Sequence, residues 1–124
     1  MSKVLYIKAN PKPNDQSRTF RISDRFIEVY KQNHPQDEII TLNLYQEGIA
    51  FISAEIVASK GQVISDRNHP VFKYAFQFLE ADKYVFAEPL WNLSIPAILK
   101  AYIDYICVAG ITFQYTEKGP IGVC

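Results

Sequence analysis

Three short apolar runs constrain the fold of this chain more than any other feature. They occupy residues 3–9 (KVLYIKA), 37–44 (DEIITLNL) and 83–87 (KYVFA). The first run is continuous from Val4 to Ile7, which is typical of strands that are covered on both faces, as in parallel sheets. Each run is followed by a segment with helical character, so the sequence predicts alternating strands and helices and a parallel α/β sheet with right-handed crossovers.

The first predicted helix, residues 17–33, follows a loop rich in proline and asparagine. Asp15 or Ser17 can cap this helix, because either side chain can accept a hydrogen bond from a first-turn N–H group. The spacing of apolar residues predicts the face that packs on the sheet. That face contains Ile22, Phe26, Val29 and Tyr30.

Two further helices are predicted later in the chain. Pro70 suits the first turn of one of them, whose apolar positions recur three and four apart as far as Leu79. Ser94 is predicted to cap the other helix, and Gly110 is predicted to end it. Cys107 falls within this last pattern and is predicted to be a buried packing residue.

The remaining segments give weaker signals. Residues 45–68 predict only a short helix over residues 54–59, with polar breaks at Gly61, Asp66 and Asn68. Near the end of the chain, residues 111–115 (ITFQY) are β-prone, and the five residues after them predict a turn.

The order of the predicted strands follows from the loop after the first one. This loop contains no glycine, so it lacks the GxGxxG fingerprint of dinucleotide-binding sheets. The other common doubly wound order, the flavodoxin-like one, places the first strand between the second and third. We therefore expect a three-layer α/β/α fold with strand order 2-1-3, and a ligand crevice between the carboxyl ends of the first and third strands.

Polar residues in the loop after the first strand suit a phosphate group. The predicted helix offers N–H groups and a positive dipole end at its start, where Asn10, Ser17, Arg18 and Thr19 can add donors. Alternatively, Ser17 is only a helix cap and Arg18 only a solvated side chain.

The loop after the third strand suits a planar ring. Pro89, Leu90 and Trp91 offer flat apolar surface, and Asn92 offers an amide. Trp91 can instead simply cover the end of the sheet. Because the fold places the two loops side by side, a ligand with both a phosphate and a ring, such as flavin mononucleotide (FMN), is favoured.

Charge and cysteine content narrow the class of protein. Thirteen basic residues balance thirteen acidic ones, and the pI is about 6.7, so the overall charge does not favour nucleic acid or an anionic membrane as a partner. Two cysteines without CxxC spacing, and an amino-terminal apolar run too short for a signal peptide, predict a cytoplasmic protein with reduced thiols. His34 and His69 have no partners at metal-ligand spacing, so no metal site is predicted.

Several motifs together resemble one family, the FMN-dependent NADH-azoreductases, which are bacterial flavodoxin-like NADH:quinone oxidoreductases. The resemblance covers residues 1–122. Its motifs are MSKVLYIKAN, the Pro-x-x-x-x-x-Ser-Arg-Thr pattern from Pro11 through Ser17 to Thr19, EPLWNLSIPAILKAYIDYI and AGITFQYTEKGPIG.

The resemblance implies a homodimer that binds FMN and uses NADH to reduce azo compounds or quinones by a ping-pong route. It implies no catalytic side chain, because the flavin carries the redox chemistry. Phe113 and Tyr115 would line the substrate pocket, with Tyr105 nearby. The implied cofactor-binding residues are Asn10, Ser17, Arg18, Thr19, Pro89, Leu90, Trp91, Asn92 and Leu93.

Members of this family are longer than this chain and add a fourth and a fifth strand. Residues 1–124 are therefore expected to form one flavodoxin-like FMN-binding domain that is incomplete at its carboxyl end, with the third strand at a sheet edge that a second chain or a second copy can cover. A non-catalytic remnant or interaction module is the alternative function. A phosphodiester hydrolase using Ser17 and His69 is less favoured, because no Asp-His-Ser relay is visible.

Overall fold

The computed structural model of the chain describes residues 1–60 and 69–124. The predicted polar breaks at Gly61, Asp66 and Asn68 lie outside the described residues. The chain forms two compact units, the first made of Met1–Ile49 and Ala81–Lys100, the second of Ala50–Glu80 and Ala101–Cys124.

The first unit contains a parallel sheet of three strands, β1 (Lys3–Lys8), β2 (Glu38–Asn43) and β3 (Lys83–Ala87). Their order is β2-β1-β3, which confirms the predicted 2-1-3 arrangement. In the shared register, Tyr6 of β1 lies opposite Thr41 of β2 and Val85 of β3. Because β1 is paired on both sides, its residues from Val4 onward are buried.

β3 lies at the edge of this sheet, as expected. Its burial is correspondingly incomplete: Phe86 is exposed, whereas Ala87 is buried. Edge strands present unpaired backbone groups that favour association with another chain.

The helix α1 (Arg18–Asn33) begins after Ser17, which is the cap rather than Asp15. The prediction of which face of α1 packs on the sheet is wrong. Phe20 and Ile27 are the buried residues, and they contact Tyr6 and Ala87 of the sheet. Ile22, Phe26 and Val29 are instead exposed, Ile22 by 74%.

Polar contacts explain this orientation of α1. Ser23 and Asp24 both form hydrogen bonds with the Tyr6 hydroxyl, and Asp24 also accepts one from Lys8. Because buried polar groups must find partners, these bonds fix which face of α1 meets the sheet. An apolar stripe elsewhere on the helix therefore remains at the surface.

The second unit contains the helices α2 (Ala54–Lys60) and α3 (Lys73–Glu80), the latter preceded by a 3₁₀ turn, Pro70–Phe72. The predicted apolar face of α3 is confirmed, since Phe72 and Ala75 are buried against Val108 and Ile111. His69 caps the 3₁₀ turn by accepting a hydrogen bond from the N–H of Val71.

The helix α4 (Ala97–Ile106) contributes residues to both units and is shorter than predicted. Ser94 is not its cap, and it ends before Gly110. The Thr112 hydroxyl donates to the carbonyl of Ile106 over 2.6 Å and accepts from the N–H of Val108 over 3.1 Å, so it takes the place of the next helical hydrogen bonds. The prediction that Cys107 is buried is wrong, because this residue lies just beyond the helix and is exposed.

The chain ends in an antiparallel hairpin of β4 (Phe113–Thr116) and β5 (Gly119–Gly122), of which the sequence predicted only the first strand. Gly119 has φ +108°, a conformation that favours glycine and permits the tight reversal. None of the described helices is long and apolar enough to cross a membrane.

Candidate functional site

The loops after β1 and β3 leave the sheet side by side. Lys8 is paired with Ala87, and the N–H of Ala9 donates to the carbonyl of Ala87 over 2.9 Å, so the two strands stay paired to their carboxyl ends. Residues 9–17 and 88–96 therefore begin at one edge of the sheet, the location where parallel α/β sheets bind ligands.

Asn10 and Ser17 come together in the loop after β1. The Asn10 Nδ2 atom lies 3.3 Å from Ser17 Oγ, which also accepts a hydrogen bond from the N–H of Phe20 over 3.1 Å. Ser17 is only 1% exposed. Because both lone pairs of this hydroxyl are used, its proton remains to be donated at the positive end of the 16-residue helix α1.

Lys8 lies beneath this loop and was not predicted as a site residue. It is only 5% exposed, and its Nζ atom donates to Asn14 Oδ1 over 2.8 Å and to Asp24 Oδ1 over 3.0 Å. Burial raises the pKa of the Tyr6 hydroxyl, which donates to the same carboxylate, so Tyr6 stays protonated. The available signal was a lysine inside an apolar strand, which implies a buried partner.

The other two residues predicted in the phosphate loop are placed differently. Thr19 is half-buried in the first turn of α1. Arg18 is exposed and lines a groove of about 600 Å³ together with Arg21, Ile22 and Arg25. The structure thus brings Asn10 and Ser17 together and places Arg18 at a separate groove.

The loop after β3 contains a tight turn that the sequence did not predict. Trp91 and Ser94 exchange two backbone hydrogen bonds of 2.9 Å each. Asn92 and Leu93 between them have φ values of +51° and +64°, as in a type I′ turn. A leucine in this conformation is strained, which is typical of functional positions. Ser94 therefore closes the turn and does not cap a helix.

Apolar side chains in and next to this turn are exposed to solvent. Leu90 is 67%, Trp91 40% and Leu93 92% exposed. Pro89 is half-buried. Beside them, the Glu88 Oε2 atom is buried and has no hydrogen-bond partner within the described residues. Exposed apolar groups next to an unsatisfied acceptor are typical of a surface that a ligand or partner completes.

The predicted substrate-pocket residues lie on the hairpin of the second unit. Phe113 lines an apolar cavity of about 460 Å³ with Phe78 and Ile106. Tyr115 is exposed and packs edge-on against the Phe113 ring, with centroids 5.2 Å apart. Tyr105 is buried and contacts the ring of Tyr74.

A parallel 2-1-3 sheet flanked by helices defines an α/β protein of the doubly wound class. The family assignment agrees with this class. The chain belongs to a family with the flavodoxin-like fold, whose sequence profile matches residues 2–123.

Curated relatives and solved structures point in the same direction. An FMN-dependent NADH:quinone oxidoreductase from Caldicellulosiruptor saccharolyticus is 64% identical over 99% of this chain and 62% of its own length. The crystal structure of an azoreductase from Bacillus anthracis str. Sterne superposes with a TM-score of 0.89 at 39% identity, over 99% of this chain and 64% of the other.

A second solved structure contains the cofactor. It is an FMN-dependent NADH-azoreductase from Bacillus anthracis str. Ames Ancestor in complex with FMN, with a TM-score of 0.85, 31% identity and coverage of 99% of this chain and 63% of the other. The chain spans about 62% of the length of the curated relatives that it matches.

Proposed function

We propose that residues 1–124 form an FMN-binding domain of an oxidoreductase that uses NADH to reduce quinones or azo compounds. The observation that carries this proposal is that the loops after β1 and β3, which differ in chemistry, leave neighbouring strands at the same end of the sheet. One loop buries the donors Asn10 and Ser17 at the start of α1, and the other exposes the ring of Trp91. The names of the similar proteins support it.

The donor set fits FMN. The Ser17 hydroxyl and the first amides of α1 would hold the phosphate group, since they combine hydrogen-bond donors with the positive end of a helix dipole. The Trp91 ring and the Leu90 side chain would lie along the flavin ring and exclude water from one side of it. Bound flavin would accept and release hydride, so the side chains would bind and orient the reactants without supplying a nucleophile.

Several finer expectations belong to the same proposal. NADH and the acceptor would use the site in turn, and the acceptor would contact the hairpin residues Phe113 and Tyr115. We also propose that the protein is a homodimer, which is supported by the exposed side chains of Ile22 and Phe26 and by the edge position of β3. Both cysteines are thiols, which favours a reducing compartment such as the cytoplasm.

The absorbance spectrum of the purified chain, with and without added FMN, tests the proposal. The expected result is a flavin spectrum that persists after gel filtration and is bleached by NADH under anaerobic conditions. A quinone added afterwards should restore the oxidised spectrum. Ser17→Ala should weaken FMN retention, while Ser53→Ala, which removes a hydroxyl outside the loop, should not.

Each alternative predicts a different result. A chain that folds but retains no flavin at millimolar FMN would contradict the proposal and favour an interaction module. If the chain binds FMN but NADH does not bleach the flavin spectrum, FMN binding would be supported and NADH as the electron donor would be contradicted. Hydrolysis of a phosphodiester without flavin would support the hydrolase instead, although His69 serves as a helix cap.

A further inference from the structure

The apolar cavity beside the hairpin belongs entirely to the second unit, where α3, the end of α4 and the two strands form its wall. Its volume of about 460 Å³ is within the range of cavities that bind small molecules. No charged residue is among the described residues that line it. The lining residues that carry the argument are Phe78, Ile106, Cys107, Phe113 and Cys124.

Both cysteines of the chain line this cavity, although they lie far apart in sequence. Cys107 directly follows α4, and its N–H donates to the carbonyl of Ile103 over 3.0 Å. Cys124 comes just after β5, and its Sγ atom lies 4.0 Å from the carbonyl oxygen of Thr112. Both residues are exposed thiols. The wall of an apolar cavity therefore offers two sulfur nucleophiles.

Hydrogen bonds of Thr112 explain why the two thiols reach one cavity. The Thr112 hydroxyl donates to the carbonyl of Ile106, the residue before Cys107, over 2.6 Å. The Thr112 carbonyl accepts from the N–H of Val123, the residue before Cys124, over 2.9 Å. One residue thus ties the end of α4 to the end of the hairpin. The two sulfur atoms are brought together by fixed backbone contacts.

The chemistry of the wall decides which ligand it fits. A charged ligand would lose its hydration without gaining a partner, because the described wall carries no charge. The rings of Phe78 and Phe113 favour a planar aromatic ring. A structural metal site is disfavoured, since no group of three or more metal-binding side chains occurs among the described residues. A neutral, planar compound that reacts with thiols fits best.

We propose that this cavity binds neutral quinones and that Cys107 adds to the bound ring to form a covalent adduct. A quinone is uncharged, planar and electrophilic at its ring carbons. Phe113 lines this cavity and also belongs to the surface that the electron acceptor would contact, which brings the same class of compound to the thiols. The inference rests on the proposed function for the identity of the electrophile, and it adds a site of modification.

Cys107 is assigned to the covalent bond because its position is the better fixed of the two cysteines. Its neighbours Ile106 and Val108 are both buried in the second unit. Val123, the neighbour of Cys124, is instead exposed. A reaction that depends on holding two atoms close together gains most where the nucleophile is held in place.

The addition needs no oxidant or reductant. The Cys107 Sγ atom forms a bond to an unsubstituted ring carbon, and the electron pair of the ring double bond moves toward a quinone oxygen. The thiol proton and the hydrogen of the attacked carbon end on the two quinone oxygens, so the product is a hydroquinone thioether. In water, cysteine is a thiolate only to a few per cent at pH 7, so the cavity contributes by holding the ring beside the sulfur.

Intact-mass spectrometry of the purified chain after anaerobic incubation with 1,4-naphthoquinone, without FMN or NADH, tests the site. The expected product carries one added quinone, and peptide mapping should place it on Cys107. The rate should level off as the quinone concentration rises, because binding precedes the bond. At low concentration it should exceed the rate for glutathione at least about tenfold.

Matched variants separate the cavity from simple thiol exposure. Cys107→Ser should abolish the adduct, and Cys124→Ser should retain it. In the Cys124→Ser background, Phe78→Ser removes a ring from the wall and should slow the reaction at least about tenfold, whereas Phe78→Leu keeps the wall apolar and should slow it much less. Iodoacetamide is small and polar, so its rate with Cys107 should stay within about twofold in both Phe78 variants. Circular dichroism checks that all variants fold.

Three results would overturn the inference. A rate that rises in proportion to quinone concentration and matches that of glutathione would show an exposed thiol without a binding cavity. Labelling of Cys124 to the same extent as Cys107 would reject the assigned residue. Equal slowing of naphthoquinone and iodoacetamide by Phe78→Ser would show that the ring affects the thiol and not the ligand.

The proposed function is tested separately, because flavin retention and bleaching by NADH are measured without this adduct. Bleaching of bound flavin by a chain that forms no adduct would contradict only the quinone cavity. Saturable modification of Cys107 in a chain that retains no flavin would support the cavity and contradict only the flavin proposal.

Discussion

The loop after β1 and the loop after β3 leave one edge of the same sheet, yet the first buries polar atoms and the second exposes apolar ones. At the first, Lys8 at the end of β1 and Ser17 at the end of the loop are buried, and both form hydrogen bonds within the protein. In the second, Leu93 is almost fully exposed and held in a strained backbone conformation.

This difference indicates how the two loops would recognise different parts of one ligand. A charged phosphate has a high cost of desolvation and needs donors that are already oriented. A flat ring gains binding free energy from apolar contact, so the protein can leave that surface exposed until the ring binds. The first loop should therefore contribute to folding stability, and the second mainly to ligand affinity.

Asp24→Ala should produce the largest loss of stability, because it leaves the Lys8 ammonium group buried without its carboxylate partner. We expect a decrease of about 3 kcal/mol in the free energy of unfolding, measured by urea denaturation. Lys8→Met in the same chain should restore part of the loss, since the buried charge is then absent.

The exposed pair Arg25–Glu28, 3.1 Å apart on the same helix, is the matched control. Arg25→Ala should change stability by less than about 0.5 kcal/mol. If Asp24→Ala cost no more than Arg25→Ala, the buried network would not be what holds the first loop.

Trp91→Ala should show the opposite behaviour, with little effect on folding and a large one on flavin binding. FMN affinity should fall by about 2 kcal/mol, or about thirtyfold, because one large ring contact is lost. The FMN affinity is measured from the quenching of flavin fluorescence as the protein is titrated into FMN. Trp91→Phe keeps an aromatic ring and should lose much less, and equal affinity in all three proteins would remove Trp91 from the site.

The sequence predicted the sheet better than the surfaces around it. The strands and a helix cap at Asp15 or Ser17 were predictable, because apolar runs and capping side chains are local signals. The strand order followed from the absence of glycine in the loop after β1. The orientation of α1 was not, since it depends on bonds from Ser23 and Asp24 to a strand residue, Tyr6, that lies far away in sequence.

The same limit applies to the candidate site. Asn10 and Ser17 were predicted and do lie together. The Trp91–Ser94 turn was missed, because leucine has no preference for the left-handed region that Leu93 occupies. The early end of α4 was missed because the Thr112 hydroxyl that replaces its last hydrogen bonds comes from beyond the helix.

Leu93→Gly tests whether the second loop is strained. Glycine adopts positive φ without a steric penalty, so this variant should be more stable than Leu93→Ala by about 0.5 to 1 kcal/mol, even though glycine also makes the unfolded chain more flexible. Thermal unfolding of the two variants measures the difference. Alanine is the matched comparison because both changes remove the exposed leucine side chain, and a more stable alanine variant would contradict the strain.

The smallest effect is expected at the amino ends of the strands, where the polar network around Asp37 is only partly buried. Asp37 accepts from the Tyr30 hydroxyl and from the N–H of Ser2, and these bonds lower the pKa of its carboxyl group. Since the folded pKa lies below the unfolded value of about 3.9, the stabilisation is present above that pH and is lost as the pH falls through the folded pKa.

Asp37→Asn should therefore be slightly less stable than the natural chain at pH 7, and the difference should disappear on acidification below about pH 4. Lys83 donates to the same Tyr30 hydroxyl, and this bond raises the pKa of its ammonium group, so that contribution is lost only at alkaline pH. Urea denaturation at pH 3, 7 and 10 separates the contribution of the Asp37 carboxylate from that of the Lys83 ammonium group. A difference that persists unchanged at pH 3 would exclude ionisation of Asp37 as its cause.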